Sequence, residues 1–230
     1  MTLLLNGCSF AECWTPSSGF VEQLNCKDYI NLGKSGTSFQ RTVRSTVEWI
    51  AQNGNPYYVI IPITFSHRWE LALNSNEDPI DGSWVPLQNS NYMSEKYNLQ
   101  STNLDRLKKL IDDYYSIIPT IKTYWDKMFT EIIMFAGWLD NKKISYLMFD
   151  MCNQFDKKHL KGYKGFEKIK FIEQNKNIID LFSFCGNHFM WNSLSDSDKE
   201  QIDPVLYHHR DPQYRILEDH LLKYINSCKK

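Results

Sequence analysis

Short, continuous apolar runs recur along the chain and predict strands that are buried on both faces. These runs occur at about residues 2–6, 57–64 and 144–151, and weaker candidate strands occur around 29–32 and 176–182. Runs without alternation are typical of parallel strands that are covered by helices on each side. Pro62 interrupts one run, and because proline removes a ladder donor, strand pairing is expected to end there.

Apolar residues at helical spacing predict helices between these strands. The segment between Ser38 and Gly54 has its apolar residues on one face, with a serine as cap and a glycine as stop. A second helix is predicted over 119–139 and a third over 212–225, where Asp211 takes the N-cap. Strands that alternate with helices predict an α/β sandwich with a mostly parallel sheet.

Residues 65–117 interrupt this alternation. They are rich in Asn, Ser, Pro and aromatic residues and have little regular period. We therefore expect a single domain over 1–230 with an insertion here, which has a short helix in its tail. Trp69 and Trp84 in the insertion would either form an aromatic platform for a sugar or pack the insertion onto the domain.

Small and polar residues follow the first three predicted strands. Ser9 follows the first strand and Gly36 follows the second. The third strand leads into Thr64, Ser66 and Arg68. Because an open parallel sheet binds its ligand beyond the carboxyl ends of its strands, we expect these three loops to converge on one site.

Three blocks of the sequence resemble the SGNH (GDSL-like) hydrolases. They are NGCSF at 6–10, NLGKSGTS at 31–38 and a late histidine before the last helix. The resemblance is to a Gly-Cys-Ser-Phe subset common in tailed phages and bacteria, and it implies a flavodoxin-like three-layer α/β/α sandwich. It also implies that Ser9 is the nucleophile and that Gly36, the Ser9 amide and an Asn side chain hold an oxyanion, with Asn31 matching the asparagine of the second block.

The resemblance places the general base at His208, with His209 as the alternative. The family has an aspartate three residues before this histidine, whereas this chain has Val205. Asp203 or Asp211 would serve only through an altered loop, so a Ser-His dyad stays open. A relative that has lost catalysis and only binds is open as well.

The third block also departs from the family pattern. The family has Gly-x-Asn after the third strand, and this chain reads PITFSHRWEL. Thr64 or Ser66 would supply a hydroxyl donor in place of the asparagine, and Arg68 would supply charge. The loss matters because one missing oxyanion donor costs roughly 10²–10³ in rate.

The chemistry that the resemblance implies is that of a serine esterase working through an acyl-enzyme. A serine hydroxyl is a weak nucleophile, so a base must take its proton, and histidine titrates near working pH. The expected substrate is a small ester, such as an O-acetyl group on a carbohydrate. No metal and no organic cofactor is expected.

Other interpretations of the same residues are structural. Ser9 is also a plausible helix N-cap, with Glu12 at the capping-box offset. Cys8 is an alternative nucleophile, and Arg68 with Glu70 would form a surface ion pair instead of a substrate contact. Gly36 and the two late histidines would then be ordinary turn and loop residues.

Composition excludes several classes of protein. The formal net charge of -1 argues against a generic nucleic-acid or membrane-surface binder. The lysine-rich segment 156–171 interleaves aromatic residues, which would suit RNA, but a solvated loop is expected there. No apolar run approaches the roughly 20 residues of a membrane span.

The cysteines indicate a reducing compartment. Six are scattered without framework spacing, and the sequence from Leu5 to Cys8 lacks the basic and apolar regions of a lipoprotein signal. Cys185 and His188 resemble half a zinc site without a second pair, so metal binding is not expected. We expect reduced thiols and a cytoplasmic location, in the host cell if the protein is viral.

Overall fold

The structure is a computed structural model, and it describes residues 1–64, 66, 68–72, 84–87, 106, 109–110, 112–113, 121–150, 160, 163–180 and 211–228. The described strands are β1 (Thr2–Leu5), β2 (Asp28–Asn31), β3 (Tyr58–Ile63), β4 (Trp69–Ala72), β5 (Trp84–Leu87), β6 (Ser145–Asp150) and β7 (Ile178–Asp180). The described helices are α1 (Ser9–Glu12), α2 (Ser18–Gln23), α3 (Phe39–Asn53), α4 (Ile121–Asn141), α5 (Phe166–Gln174) and α6 (Asp211–Cys228).

Five parallel strands form the main sheet in the order β2-β1-β3-β6-β7. Leu3 of β1 pairs with Tyr29 of β2 on one side and with Tyr58 of β3 on the other. The chain therefore winds first in one direction from β1 and then in the other, which is the flavodoxin-like order. The predicted α/β fold with a parallel sheet is confirmed, and the winding reverses between β1 and β3.

Each face of the sheet is covered by its own set of helices. Leu4 of β1 contacts a cluster that includes Val59, Ile61, Met148 and side chains of α3, α4 and α5. Leu3 and Leu5 point to the opposite face, where the cluster includes side chains of α1, α2 and α6. Because successive side chains of a strand point to opposite faces, the continuous apolar runs of the sequence are what a sheet covered on both sides requires.

The α3 helix follows the sequence prediction at both ends. The Ser38 side chain accepts a hydrogen bond from the Arg41 amide over 3.2 Å, and Gly54 ends the helix with φ of 85°. The other predicted elements are found with small shifts at their ends. Asp211, for example, is the first helical residue of α6 and not its cap.

The prediction that strand pairing ends at Pro62 is correct on one side of β3 and wrong on the other. β3 pairs with β1 only as far as Ile60, as predicted, but on its other side it continues to pair with β6 through Ile63. Ile60 accepts a hydrogen bond from the Asn6 amide across the β1 side. Because alternate residues of a strand bond to alternate neighbours, the missing donor of Pro62 faces the side where β1 has already ended.

Two helices were not predicted. α2 begins after Ser17, whose side chain accepts from the Phe20 amide. α5 occupies 166–174, so the solvated loop that was expected over 156–171 is wrong for residues 166–171. Just before α5, Tyr163 is buried against Trp125 and Phe129 of α4.

A shared acidic partner adds to this anchoring of α5. The Tyr163 hydroxyl donates to Asp126 over 2.7 Å, and Lys168 pairs with the same carboxylate over 2.7 Å. These two contacts lower the pKa of Asp126. Packing against α4 therefore stabilises a helix in a segment whose lysines alone suggested a solvated loop.

Within residues 65–117, where the sequence predicts an insertion, the structure describes a second, two-stranded sheet. β4 and β5 pair antiparallel, with Glu70 opposite Pro86. Glu70 pairs with Arg44 of α3 over 2.8 Å, and its amide donates to the Gln40 side chain. The predicted short helix in the tail is seen at residues 106, 109–110 and 112–113. No helix in the described part of the chain is long and apolar enough to cross a membrane.

A buried glutamate on α6 holds the two ends of the chain together. Glu218 accepts hydrogen bonds from the Trp14 indole over 3.0 Å and from the amide and hydroxyl of Ser17 over 2.9 and 2.5 Å. Arg215 pairs with the same carboxylate over 2.9 Å. Beside it, the Trp14 and Tyr214 rings stack with centroids 5.9 Å apart.

Replacing Glu218 by alanine should destabilise the protein strongly, because the Trp14 indole and Ser17 would lose their buried acceptor. We expect the free energy of unfolding to fall by about 2–4 kcal/mol in urea denaturation. Asp219→Ala, at the next and exposed position, is the matched control and should change it by less than about 0.5 kcal/mol. Equal losses in the two variants would contradict this role of Glu218.

Candidate active site

The loops after β1, β2 and β3 meet at the carboxyl edge of the sheet. The Lys34 amide donates to the Gly7 carbonyl over 3.0 Å, which joins the first two loops. The Thr64 hydroxyl donates to the Thr37 carbonyl over 3.4 Å, which joins the third loop to the second. The convergence predicted from the sequence is therefore present, at the point where the winding of the sheet reverses.

Ser9 lies at the start of α1, directly after the turn that follows β1. Its side chain is half-buried, whereas Cys8 beside it is completely buried. Within the described residues the Ser9 hydroxyl has no hydrogen-bond partner. A nucleophile at this turn must be reached by its substrate, and this geometry favours Ser9 over Cys8.

The N-cap interpretation of Ser9 is wrong in its details. Cys8 is the N-cap of α1 and Ser9 is the first helical residue. Glu12 does not close a capping box, because its carboxylate accepts hydrogen bonds from the amide and the hydroxyl of Ser35. Glu12 therefore fastens the loop after β2 to α1.

The Cys13 thiol is not activated. Burial, and then the neighbouring Glu12 carboxylate, raise the pKa of the Cys13 thiol at the other end of α1. A raised pKa keeps the thiol protonated, and the thiolate is the reactive form. Within the described residues, no three His, Cys, Asp or Glu side chains are grouped as metal ligands. Cys185 and His188 lie outside the described residues.

Asn6 fixes the turn that carries Ser9. Its buried side-chain nitrogen lies 3.0 Å from the Thr42 carbonyl and 2.8 Å from each of the Ser45 and Thr46 hydroxyls, all on α3. Its side-chain oxygen accepts from the Gly7 amide over 2.8 Å. One residue thus ties the end of β1 to α3 and shapes the turn. In the sequence, Asn6 is recognisable only as the first residue of an Asn-Gly turn.

Asn31 and Gly33 set the loop after β2 against α1. The Asn31 amide group donates to the Ala11 and Trp14 carbonyls over 2.7 and 3.1 Å, and its oxygen accepts from the Gly33 amide over 2.8 Å. A Cβ at Gly33 would lie 2.7 Å from the carbonyl carbon of Ala11, so only glycine allows this approach. Sequence reasoning missed Gly33, although it stands inside the quoted block.

Gly36 has a left-handed backbone conformation. Its φ is 76°, in the left-handed region that favours glycine. The residues on either side of Gly36 form hydrogen bonds. The Ser35 amide donates to the Glu12 carboxylate, and the Thr37 hydroxyl donates to the Lys34 carbonyl over 2.7 Å. The backbone at Gly36 is therefore set by the loop that surrounds it.

The polar residues after β3 divide into buried and partly exposed positions. Thr64 is 1% exposed, while Ser66 and Arg68 are half-buried. The Arg68 guanidinium donates to the Thr64 hydroxyl over 3.2 Å. Glu70 forms an ion pair with Arg44 over 2.8 Å, whereas the alternative interpretation of the sequence paired it with Arg68. Arg68 is instead attached to the carboxyl edge of β3.

Asp150 is a further acidic residue at this edge. It ends β6 in register with Ile63 of β3 and is completely buried. In the sequence, Asp150 is a lone carboxylate at the end of an otherwise apolar run. A carboxylate is rarely buried without partners. Sequence reasoning did not select it.

The candidate general base and its acidic partner belong to the segment that precedes α6 in the sequence. His208, His209 and Asp203 lie outside the described residues. The helix that follows them is tied to α1, because the Tyr214 hydroxyl donates to the Phe10 carbonyl over 2.8 Å. Phe10 is the residue after Ser9, so α6 contacts α1 beside the candidate nucleophile.

No family model matches the chain, and no curated protein matches it. Among solved structures, the chain is similar to a candidate acylhydrolase from Bacteroides fragilis, with 14% identity over 100% of this chain and 88% of that one and a TM-score of 0.48. A candidate lipolytic protein of the G-D-S-L family from Desulfitobacterium hafniense shows 11% identity, coverage of 97% and 98%, and a TM-score of 0.47. A GDSL-like lipase from Bacteroides thetaiotaomicron shows 14% identity, coverage of 99% and 88%, and a TM-score of 0.47. Likeness at this level assigns no activity to this chain.

Replacing Asn6 by alanine should loosen the turn after β1, because three acceptors on α3 and the Gly7 amide lose their partner. We expect the free energy of unfolding to fall by about 2–3 kcal/mol in urea denaturation. Asn53→Ala, at an exposed position near the end of α3, is the control and should cost less than about 1 kcal/mol. A neutral effect at position 6 would show that the turn does not depend on this amide.

Proposed function

We propose that this protein is a serine hydrolase that cleaves a small ester through an acyl-enzyme. The observation that carries the proposal is the position of Ser9. Its half-buried hydroxyl follows the first strand at the reversal of the sheet, on a turn held by Asn6 and beside a loop whose Gly36 is left-handed. This is the edge at which an open α/β sheet binds its ligand.

The contact between α6 and α1 supports the choice of base. Tyr214 bonds to the residue after Ser9, and α6 begins at Asp211. His208 is three residues before Asp211, and three residues of chain span at most about 10 Å. In the proposed site, one of these histidines approaches Ser9 from the end of α6 that contacts α1.

The proposed reaction has two steps. The Ser9 oxygen attacks the ester carbonyl while the imidazole of His208, or of His209, takes the hydroxyl proton. The imidazole then gives this proton to the departing alcohol. The acyl group stays bonded to the Ser9 oxygen. A water molecule attacks the acyl-enzyme, loses a proton to the same imidazole and releases the carboxylic acid, and the proton returns to Ser9.

The oxyanion formed in each step needs donors. The backbone amides of Ser9 and Gly36 would supply two of them. For the third, Arg68 is better suited than Thr64, because the single hydroxyl hydrogen of Thr64 is directed to the Thr37 carbonyl. A guanidinium has five N–H donors in a planar fork, and the half-buried Arg68 lies at the carboxyl edge beside Thr64. Thr64 would then position Arg68.

The inserted sheet would shape the substrate pocket. β4 begins directly after Arg68, and Glu70 attaches it to Gln40 and Arg44 in the first half of α3. The N-terminus of this helix adjoins the loop that holds Gly36. A small ester, such as an O-acetyl group on a carbohydrate, is the substrate class we propose for this pocket.

Ser9→Ala should abolish ester hydrolysis and leave the fold intact. We expect kcat for p-nitrophenyl acetate to fall by on the order of 10⁴ or more, because the attacking atom is removed. Cys13→Ala is the matched control at the other end of α1 and should retain activity. A fluorophosphonate probe should label the native protein at Ser9; unchanged turnover in Ser9→Ala, or no labelling, would refute the hydrolase and favour a non-catalytic binding protein.

His208→Asn and His209→Asn serve as controls for each other. The variant that removes the base should lose about 10²–10⁴ in kcat, and the other should lose little. Because an imidazole base must be neutral to accept the proton, the native rate should rise with pH through the range where histidine titrates. Full activity in both variants would eliminate this segment as the source of the base.

A further inference from the structure

The amino edge of the sheet, opposite to Ser9, contains a cavity of about 340 Å³. It is lined by the first residues of β3 and β6, by the turns that precede β6 and β7, and by the last turns of α6. Its volume lies in the range of pockets that hold small organic ligands. None of the residues considered for the ester site takes part in it.

Three tyrosines line this cavity, and two of their hydroxyls are already engaged. Tyr146 donates to the Asp140 carboxylate over 3.3 Å and accepts from Asn175 over 3.2 Å. Tyr224 donates to the Lys176 carbonyl over 2.8 Å. Within the described residues, the Tyr58 hydroxyl has no hydrogen-bond partner. Tyr58 is therefore the phenol whose donor is left for a ligand.

The lining phenols stay neutral at physiological pH. Burial, followed by the neighbouring Cys228 and Tyr224, raises the pKa of Tyr58 well above its usual value. Burial and Cys228 raise the pKa of Tyr224 to about 12. A neutral phenol can donate a hydrogen bond to an anion, which a phenolate cannot.

The charged groups of the lining favour an anion with a single charge. Lys143 and Lys176 contribute two ammonium groups, and Asp140 contributes one carboxylate, so the formal balance is one positive charge. The carboxylate is in addition occupied by the Tyr146 hydroxyl. Apolar side chains complete the walls, namely Ile144, Leu147 and Ile225.

We propose that this cavity binds a small hydrophobic monocarboxylate. The carboxylate would accept from the Tyr58 hydroxyl and lie between the two ammonium groups, and an aromatic ring or short alkyl chain would contact the apolar walls. The geometry that carries this assignment is a ligand-sized cavity whose available donors all favour one negative charge. It does not depend on any activity of Ser9.

The charge of the ligand can be tested with three matched probes observed by ¹⁹F NMR. 4-Fluorobenzoate, 4-fluorobenzamide and 4-fluorobenzylammonium share one ring and carry negative, zero and positive charge. We expect the benzoate to bind at least about tenfold more tightly than the other two, with its affinity falling as salt is raised. Equal affinity for all three, preference for the cation, or no binding of the benzoate would overturn the proposal.

Variants locate the binding. Tyr58→Phe keeps the ring and removes the hydroxyl, and the Lys143→Ala/Lys176→Ala double variant removes both ammonium groups; each should weaken benzoate binding about tenfold. Lys164→Ala, before the other end of α5, is the matched control and should bind as the native protein does. Circular dichroism verifies that each variant is folded. Native affinity in Tyr58→Phe and in the double variant would show that the benzoate binds elsewhere.

Discussion

The buried amide of Asn6 is the contact on which the carboxyl edge depends. A buried amide must find hydrogen-bond partners, and those of Asn6 lie on α3 and on the Gly7 amide. The end of β1 therefore cannot move without breaking contacts to a helix that begins 33 residues later. Because α3 in turn follows the loop that contains Gly36, the positions of Ser9 and Gly36 are set by one network.

Close approach of backbone to backbone completes that arrangement. Gly33 lies against α1 with no room for a Cβ, and Asn31 bonds to the carbonyls at the end of the same helix. Glu12 bonds back to Ser35. These contacts are short and mutually dependent, so the two loops form a rigid surface and not two independent turns. A preorganised backbone of this kind is what stabilisation of a developing charge requires.

The two ends of the sheet differ in chemistry although the same strands connect them. At the carboxyl edge, most of the described contacts are made by hydroxyl, amide and backbone groups, with Glu12 bonded to Ser35 and Arg68 bonded to Thr64. At the amino edge, Tyr58, the first residue of β3, and Tyr146, the second of β6, line a cavity together with two lysines. Backbone donors are suited to the transient oxyanion of a reaction, and ammonium and phenol groups are suited to a bound anionic ligand. The proposed roles of the two edges follow from this difference.

The sequence by itself determined the parallel sheet, the helices α3, α4 and α6, and the positions of Ser9, Gly36 and Thr64 after the first three strands. Continuous apolar runs, the Ser38 cap and the Gly54 stop are local signals, because each depends only on residues of its own segment. The tertiary structure decided what depends on distant partners: that α5 is helical, that Glu70 pairs with Arg44, that Glu12 bonds to Ser35 and that Asn6 reaches α3. A side chain's partner is fixed by packing of segments far apart in the chain, and no local pattern of residues encodes that choice.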